Sequence, residues 1–112
     1  MANQKSWEPL GVNSPNKGQI VEASIDEQDF IVWRSESGKL SVTEARCPHQ
    51  WSHLAYEGAV VGEELICTSH FWRFSLTGLG CKENINGRRD QKSNIKVFPC
   101  RELDGQVWVQ IN

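Results

Sequence analysis

Two short motifs, Cys47-Pro48-His49 and Cys67-Thr68-Ser69-His70, stand with seventeen residues between His49 and Cys67. Each offers one thiol and one imidazole, the side chains that bind borderline and soft metals best. The segment between them, Ala59-Val60-Val61-Gly62-Glu63-Glu64-Leu65-Ile66, reads as a hairpin. A hairpin returns the chain to where it started, so both motifs are expected on neighbouring loops at one end of the molecule. The start, Met1-Ala2-Asn3-Gln4-Lys5-Ser6-Trp7, has no apolar run after its charge and does not read as a secretory leader. The cytoplasm is therefore the expected compartment. There, four cysteines read more readily as metal ligands than as disulfides.

The rest of the chain is patterned for strands. Gly18-Gln19-Ile20-Val21-Glu22-Ala23 and Asp29-Phe30-Ile31-Val32-Trp33-Arg34 are short β-branched or aromatic runs, and Leu40-Ser41-Val42-Thr43 follows a Ser37-Gly38-Lys39 turn. Ile95-Lys96-Val97-Phe98-Pro99 leads into Arg101-Glu102-Leu103. Asp104-Gly105 then turns the chain into Gln106-Val107-Trp108-Val109-Gln110-Ile111, with Val107, Val109 and Ile111 on one face. No segment sustains a helical period. The pattern predicts one all-β domain over residues 1–112, an antiparallel sandwich or barrel of about eight to ten short strands. Residues 46–58 and 67–80, rich in Cys, His, Trp and Gly, interrupt it as functional loops, and 79–95 reads as a long polar loop. A chain of 112 residues has room for a modest core, and a metal clip would reinforce it.

Two centres suit two thiols and two imidazoles. One is structural zinc. The other is a [2Fe–2S] cluster with thiolates on one iron and imidazoles on the other. Zinc loops usually carry two like ligands two to four residues apart, whereas each loop here carries one of each kind, which suits a binuclear centre better. Spacing alone leaves both open.

The flanking residues go further. Cys47-Pro48-His49 is followed by Leu54 and by Glu57-Gly58-Ala59-Val60-Val61-Gly62; His70-Phe71-Trp72-Arg73-Phe74 is followed by Thr77-Gly78; Asn94 to Pro99 and the terminal hairpin complete the pattern. Over nearly its whole length the chain resembles the Rieske [2Fe–2S] ferredoxins that serve bacterial multicomponent aromatic-ring oxygenases. The resemblance implies a Rieske-type β-sandwich with a two-loop cluster-binding subdomain. It also implies one [2Fe–2S] cluster held by Cys47, His49, Cys67 and His70. By that resemblance the chain has no catalytic residues of its own. It would carry single electrons from a flavin-dependent NAD(P)H reductase to a terminal dioxygenase or diiron monooxygenase. A Rieske-like small subunit of an assimilatory nitrite reductase is the alternative. A complete Rieske oxygenase would need a second domain holding a mononuclear iron, and the length of the chain argues against one.

Three departures from the family pattern stand out. Phe71 follows His70 where glycine is frequent, the turn after Phe74 is short, and 79–95 lacks paired prolines. High-potential Rieske proteins carry an extra cysteine in each loop, joined as a disulfide; the corresponding places here are Gln50 or Trp51, and Ser69. Without that bridge and without a serine after His70, the potential is expected at the low end of the class, roughly −150 mV.

Other features have plainer readings. His53 is expected to have an ordinary surface or rim role, and Cys81 and Cys100 to be small buried side chains. Trp7, Trp33 and Trp108 are expected on strand faces or in the core. Trp72 should shield the site, with Trp51 or Phe71 exposed beside it. Asp26, Glu27 and Asp29 read as a solvated turn. Twelve basic against fourteen acidic residues argue against nucleic acid as the partner, no apolar stretch is long enough to cross a bilayer, and a monomer is expected.

Overall fold

The computed structural model describes residues 6–111, so the expectation about the leader falls mostly outside the described residues. The chain runs through β1 (Trp7–Asn13), β2 (Ile20–Ile25), β3 (Gln28–Arg34), β4 (Leu40–Glu44), a helical turn α1 (Leu54–Glu57), β5 (Gly58–Val61), β6 (Glu64–Cys67), β7 (Trp72–Phe74), β8 (Gly80–Glu83), β9 (Arg89–Lys92), β10 (Val97–Phe98), β11 (Cys100–Leu103) and β12 (Gln106–Gln110). Every strand pairing is antiparallel. Three sheets result, in the orders β1-β12-β11, β10-β4-β3-β2 and β5-β6-β7-β8-β9.

The run Phe30-Ile31-Val32-Trp33 explains how the sheets stack. All four side chains are fully buried, although successive residues of a strand face opposite ways. Phe30 and Val32 join Leu10, Val42, Phe98, Val107 and Val109 in a core shared with the sheet of the chain ends. Ile31 and Trp33 join Leu54, Leu65, Phe74 and Ile95 in a second core against the five-stranded sheet. The middle sheet is thus covered on both faces, which is why β3 reads as a continuous apolar run. Cys47 and Cys67 belong to the second core, which places the metal motifs at its end.

The expected all-β sandwich is present, with twelve strands among the described residues rather than eight to ten. One addition is β1. Pro9 and Gly11 disguise it, and only Leu10 of its seven residues is buried, because it pairs as an outer strand along β12. The others are β7, within the stretch 67–80 read as a loop, and β8 and β9, which fold the supposed polar loop 79–95 into a hairpin. The Asn84 carboxamide accepts from the Asn86 and Arg88 amides, and Gly87 takes φ of 80°. Arg89, Asp90 and Gln91 are exposed, so no alternation of burial betrays the strand. Within 46–58 the chain forms α1, and within 67–80 it forms β7. Gly78 closes the turn after β7: its φ is 91°, and a Cβ there would lie 2.3 Å from the Ile95 carbonyl oxygen. Asp26 and Glu27 form the exposed β2–β3 turn expected of them, both with positive φ. Trp33 is core, whereas Trp7 and Trp108 are half-buried, with Arg101 packed over the Trp7 ring at 4.2 Å.

Candidate metal centre

The β5–β6 hairpin does what its sequence predicts. Gly58 pairs with Cys67 and Val61 with Glu64, so the chain leaves the first motif loop and enters the second at the same height in the sheet. The loops are built alike. In each, the amide four residues beyond the cysteine donates back to the cysteine carbonyl: Trp51 to Cys47 at 2.9 Å, and Phe71 to Cys67 at 2.7 Å. In each, that closing residue has a left-handed backbone, with φ of 67° at Trp51 and 62° at Phe71. The unusual Phe71 therefore occupies a conformation that glycine adopts freely and a side chain strains. Both aromatic rings point outward, 63% and 61% exposed.

The four candidate ligands are sorted by depth. Cys47 and Cys67 are buried, with 1% and 2% exposure, while His49 and His70 are exposed. The two imidazoles meet edge to face, with ring centroids 4.8 Å apart. The Cys47 sulfur faces Cys67 and receives hydrogen bonds from the backbone of His49 and Gln50. Burial pushes the Cys47 thiol up to about 11, and the facing Cys67 adds to this, against the lowering effect of those backbone donors. Amides aimed at a buried sulfur stabilise a thiolate, the form that binds metal. His49 is shifted downward by partial desolvation first, then by His70, Lys82 and Lys92. A downward shift favours the neutral imidazole, which is the form that ligates metal.

A thiol pair below and an imidazole pair above fit a binuclear centre with unlike ends. A family model, the Rieske [2Fe-2S] domain, matches residues 7–99.

The chain belongs to the Rieske family.

Its cofactor is accordingly a single [2Fe–2S] cluster. Among curated relatives, this Rieske domain is 34% identical over 92 residues to cholesterol 7-desaturase nvd 1 of Ciona intestinalis, covering 82% of the chain and 20% of that protein. It is 30% identical over 110 residues to oxidoreductase NdmD of Pseudomonas putida, covering 94% of the chain and 18% of that protein. The chain thus spans about a fifth of the length of these relatives. Its fold matches dicamba monooxygenase bound to dicamba with a TM-score of 0.78 at 23% identity, over 94% of this chain and 33% of the other.

Around the motifs, the structure places one side chain singled out in the sequence and adds others that sequence reading missed. Trp72 stacks on His49 at 4.5 Å and 14°, as a shield would. Lys92 lies over the Trp72 ring, 5.8 Å from its centre, and Lys82 pairs with Trp72 across β7 and β8. No signal in the sequence marks these lysines, because the polar hairpin that carries them reads as a loop. Glu57, at the end of α1, holds the second loop: its carbonyl accepts from the Thr68 amide at 2.7 Å and from the Thr68 hydroxyl at 2.9 Å. His53 caps α1, its Nδ1 accepting from the Ala55 amide at 3.1 Å, and its Nε2 points toward Glu22 and Asp29 at 3.9 and 4.0 Å. His53 is half-buried there, and its capping task had no signal in the sequence. Cys81 and Cys100 lie in β8 and β11, half-buried rather than buried, outside the motif loops. Among the described residues no helix is long and apolar enough to cross a membrane.

Proposed function

We propose that Cys47 and Cys67 ligate one iron of the cluster and His49 and His70 the other, and that the protein is a single-domain ferredoxin over residues 1–112. In this reading it takes single electrons from a flavoprotein reductase and delivers them to a terminal oxygenase. The observation that carries the reading is the sorting of the four side chains by depth. Buried sulfurs keep one end of the site dry, and exposed imidazoles open the other to a partner's surface. When bound, the cluster accepts and releases one electron at a time.

The chain's own residues do the rest. The His49 and Gln50 backbone donors stabilise the Cys47 thiolate. Trp72 covers one face of His49 and limits water there. Lys82 and Lys92 supply positive charge beside that imidazole, which favours the more negative, reduced state. Trp51 and Phe71 offer an uncharged, partly apolar rim suited to a small interface that forms and releases quickly.

The lengths of the relatives favour a second reading, in which the same domain takes up electrons within a longer oxygenase. Iron analysis and turnover separate the two. The ferredoxin reading expects two irons per chain, fast reduction by a flavoprotein NAD(P)H reductase, and reoxidation by a separately added oxygenase. A third iron with oxygenase turnover by the protein alone would overturn it.

A further inference from the structure

The two cluster loops are joined by side chains as well as by the hairpin. The Ser52 hydroxyl, on the first loop, lies 3.0 Å from the Ser69 hydroxyl on the second, and Ser69 Oγ donates to the Glu57 carboxylate at 2.7 Å. An ionised carboxylate only accepts, so the Ser69 proton is committed to Glu57. Ser69 can then meet Ser52 only as an acceptor, and Ser52 must donate. The relay runs one way: Ser52 to Ser69 to Glu57. It ends on a charged group, which makes its last bond the stronger one. Its middle member sits between Cys67 and His70, and its first lies five residues beyond Cys47. The Glu57 main chain meanwhile grips Thr68, so the second loop is held from two directions.

We propose that Ser52, Ser69 and Glu57 form a hydroxyl strap that clamps the two loops together and sets how long the cluster is retained. These are positioning residues, and the proposal rests on the reading that both loops hold the cluster. All four cysteines are free, so no covalent tie performs this task. Opening one loop away from the other must break the strap, and each lost bond should speed opening by about three- to tenfold.

The chain of dependence gives a signature that general weakening would not. Ser69→Ala removes both hydroxyl bonds and Ser52→Ala removes one. In the Ser69→Ala background, Ser52 has nothing left to lose. The experiment follows bleaching of the holoprotein's visible absorption with an iron chelator, well below unfolding, while far-ultraviolet circular dichroism stays native. Expected are faster release in both single variants, no further gain in the double variant, and recovery in Ser69→Thr, which restores the hydroxyl. Unchanged release, or effects that multiply in the double variant, would overturn the strap.

A second variant covers the case in which the alanine proteins fail to assemble. Ser52→Cys with Ser69→Cys should oxidise to a disulfide across the loops, and the oxidised form should hold its cluster longer than the reduced form. Failure of the pair to oxidise, or oxidation without longer retention, would count against the strap. A wrong ligand set shows itself separately, as an unsubstituted protein without a two-iron spectrum. Counting free thiols in the Ser52→Cys, Ser69→Cys protein still reports whether the two serines face each other.

Discussion

At the residue scale, the tension lies at Trp51 and Phe71. A left-handed backbone costs an L-residue roughly 1–2 kcal/mol, and here two exposed aromatics bear it. Neither ring is buried enough to recover that cost by packing. On a strand, glycine would be less stable than alanine, but at position 71 the order should reverse. Phe71→Gly is expected to exceed Phe71→Ala in chemical denaturation by about 1 kcal/mol, and equal or inverted stabilities would show that the φ of 62° is not a strain. A second consequence concerns potential. Ser69 has its proton tied to Glu57, Phe71 brings no hydroxyl, and no disulfide spans the loops. Few donors are therefore left to favour the reduced state. The midpoint at pH 7 is expected well below zero, roughly −150 mV, by protein-film voltammetry. A value well above zero would refute the argument from missing hydrogen bonds.

At the scale of elements, the β8–β9 hairpin is fastened to the cluster sheet by Glu64. Its carboxylate accepts from Arg73 on β7 at 3.0 Å and from Arg89 Nη2 on β9 at 3.2 Å. Burial pushes the Glu64 carboxyl up, but the two guanidinium groups outweigh it, and the net shift is below the ordinary value of 4.5. A depressed carboxyl contributes stability that is complete above its unfolded value and lost as the pH falls through the folded one. Glu64→Gln should therefore cost about 1 kcal/mol at neutral pH, discounted for partial exposure, and the variant should lose less than the parent between pH 5 and 3. Parallel acid melting curves would contradict this.

The same hairpin shows where sequence reading stops. β3 was legible because Phe30 to Trp33 are apolar in succession, and the β5–β6 hairpin because Gly62 breaks a β-branched run. β8 and β9 were not, because their partners are ions and a carboxamide-bonded turn rather than a core. At the candidate site, Cys47, His49, Cys67 and His70 could be singled out by type and spacing. Lys82, Lys92 and the Ser52–Ser69–Glu57 contacts did not, because they meet the motifs only through folding. The capping role of His53 was not legible, because nothing local shows that its Nδ1 caps a four-residue helical turn.

At the scale of the whole molecule, His49 and His70 and both left-handed aromatics gather at one end, while the three sheets form the body. Electron transfer falls steeply with distance, so in the proposed ferredoxin reading a reductase and an oxygenase would both approach that end and compete for it. Replacing Trp51 or Phe71 with aspartate should slow transfer to at least one partner and leave the visible spectrum intact. Replacing Asp26, in the β2–β3 turn, should change little, and the opposite pattern in stopped-flow reduction would move the docking face elsewhere. All of this depends on the cluster bridging a thiolate pair and an imidazole pair. The most direct test is magnetic resonance of the reduced protein grown with nitrogen-15 histidine. The account predicts hyperfine coupling to two histidine nitrogens in the unsubstituted protein, with Cys67→Ser holding no cluster at all. A reduced cluster coupled to no histidine nitrogen, or a colourless protein containing zinc, would contradict it.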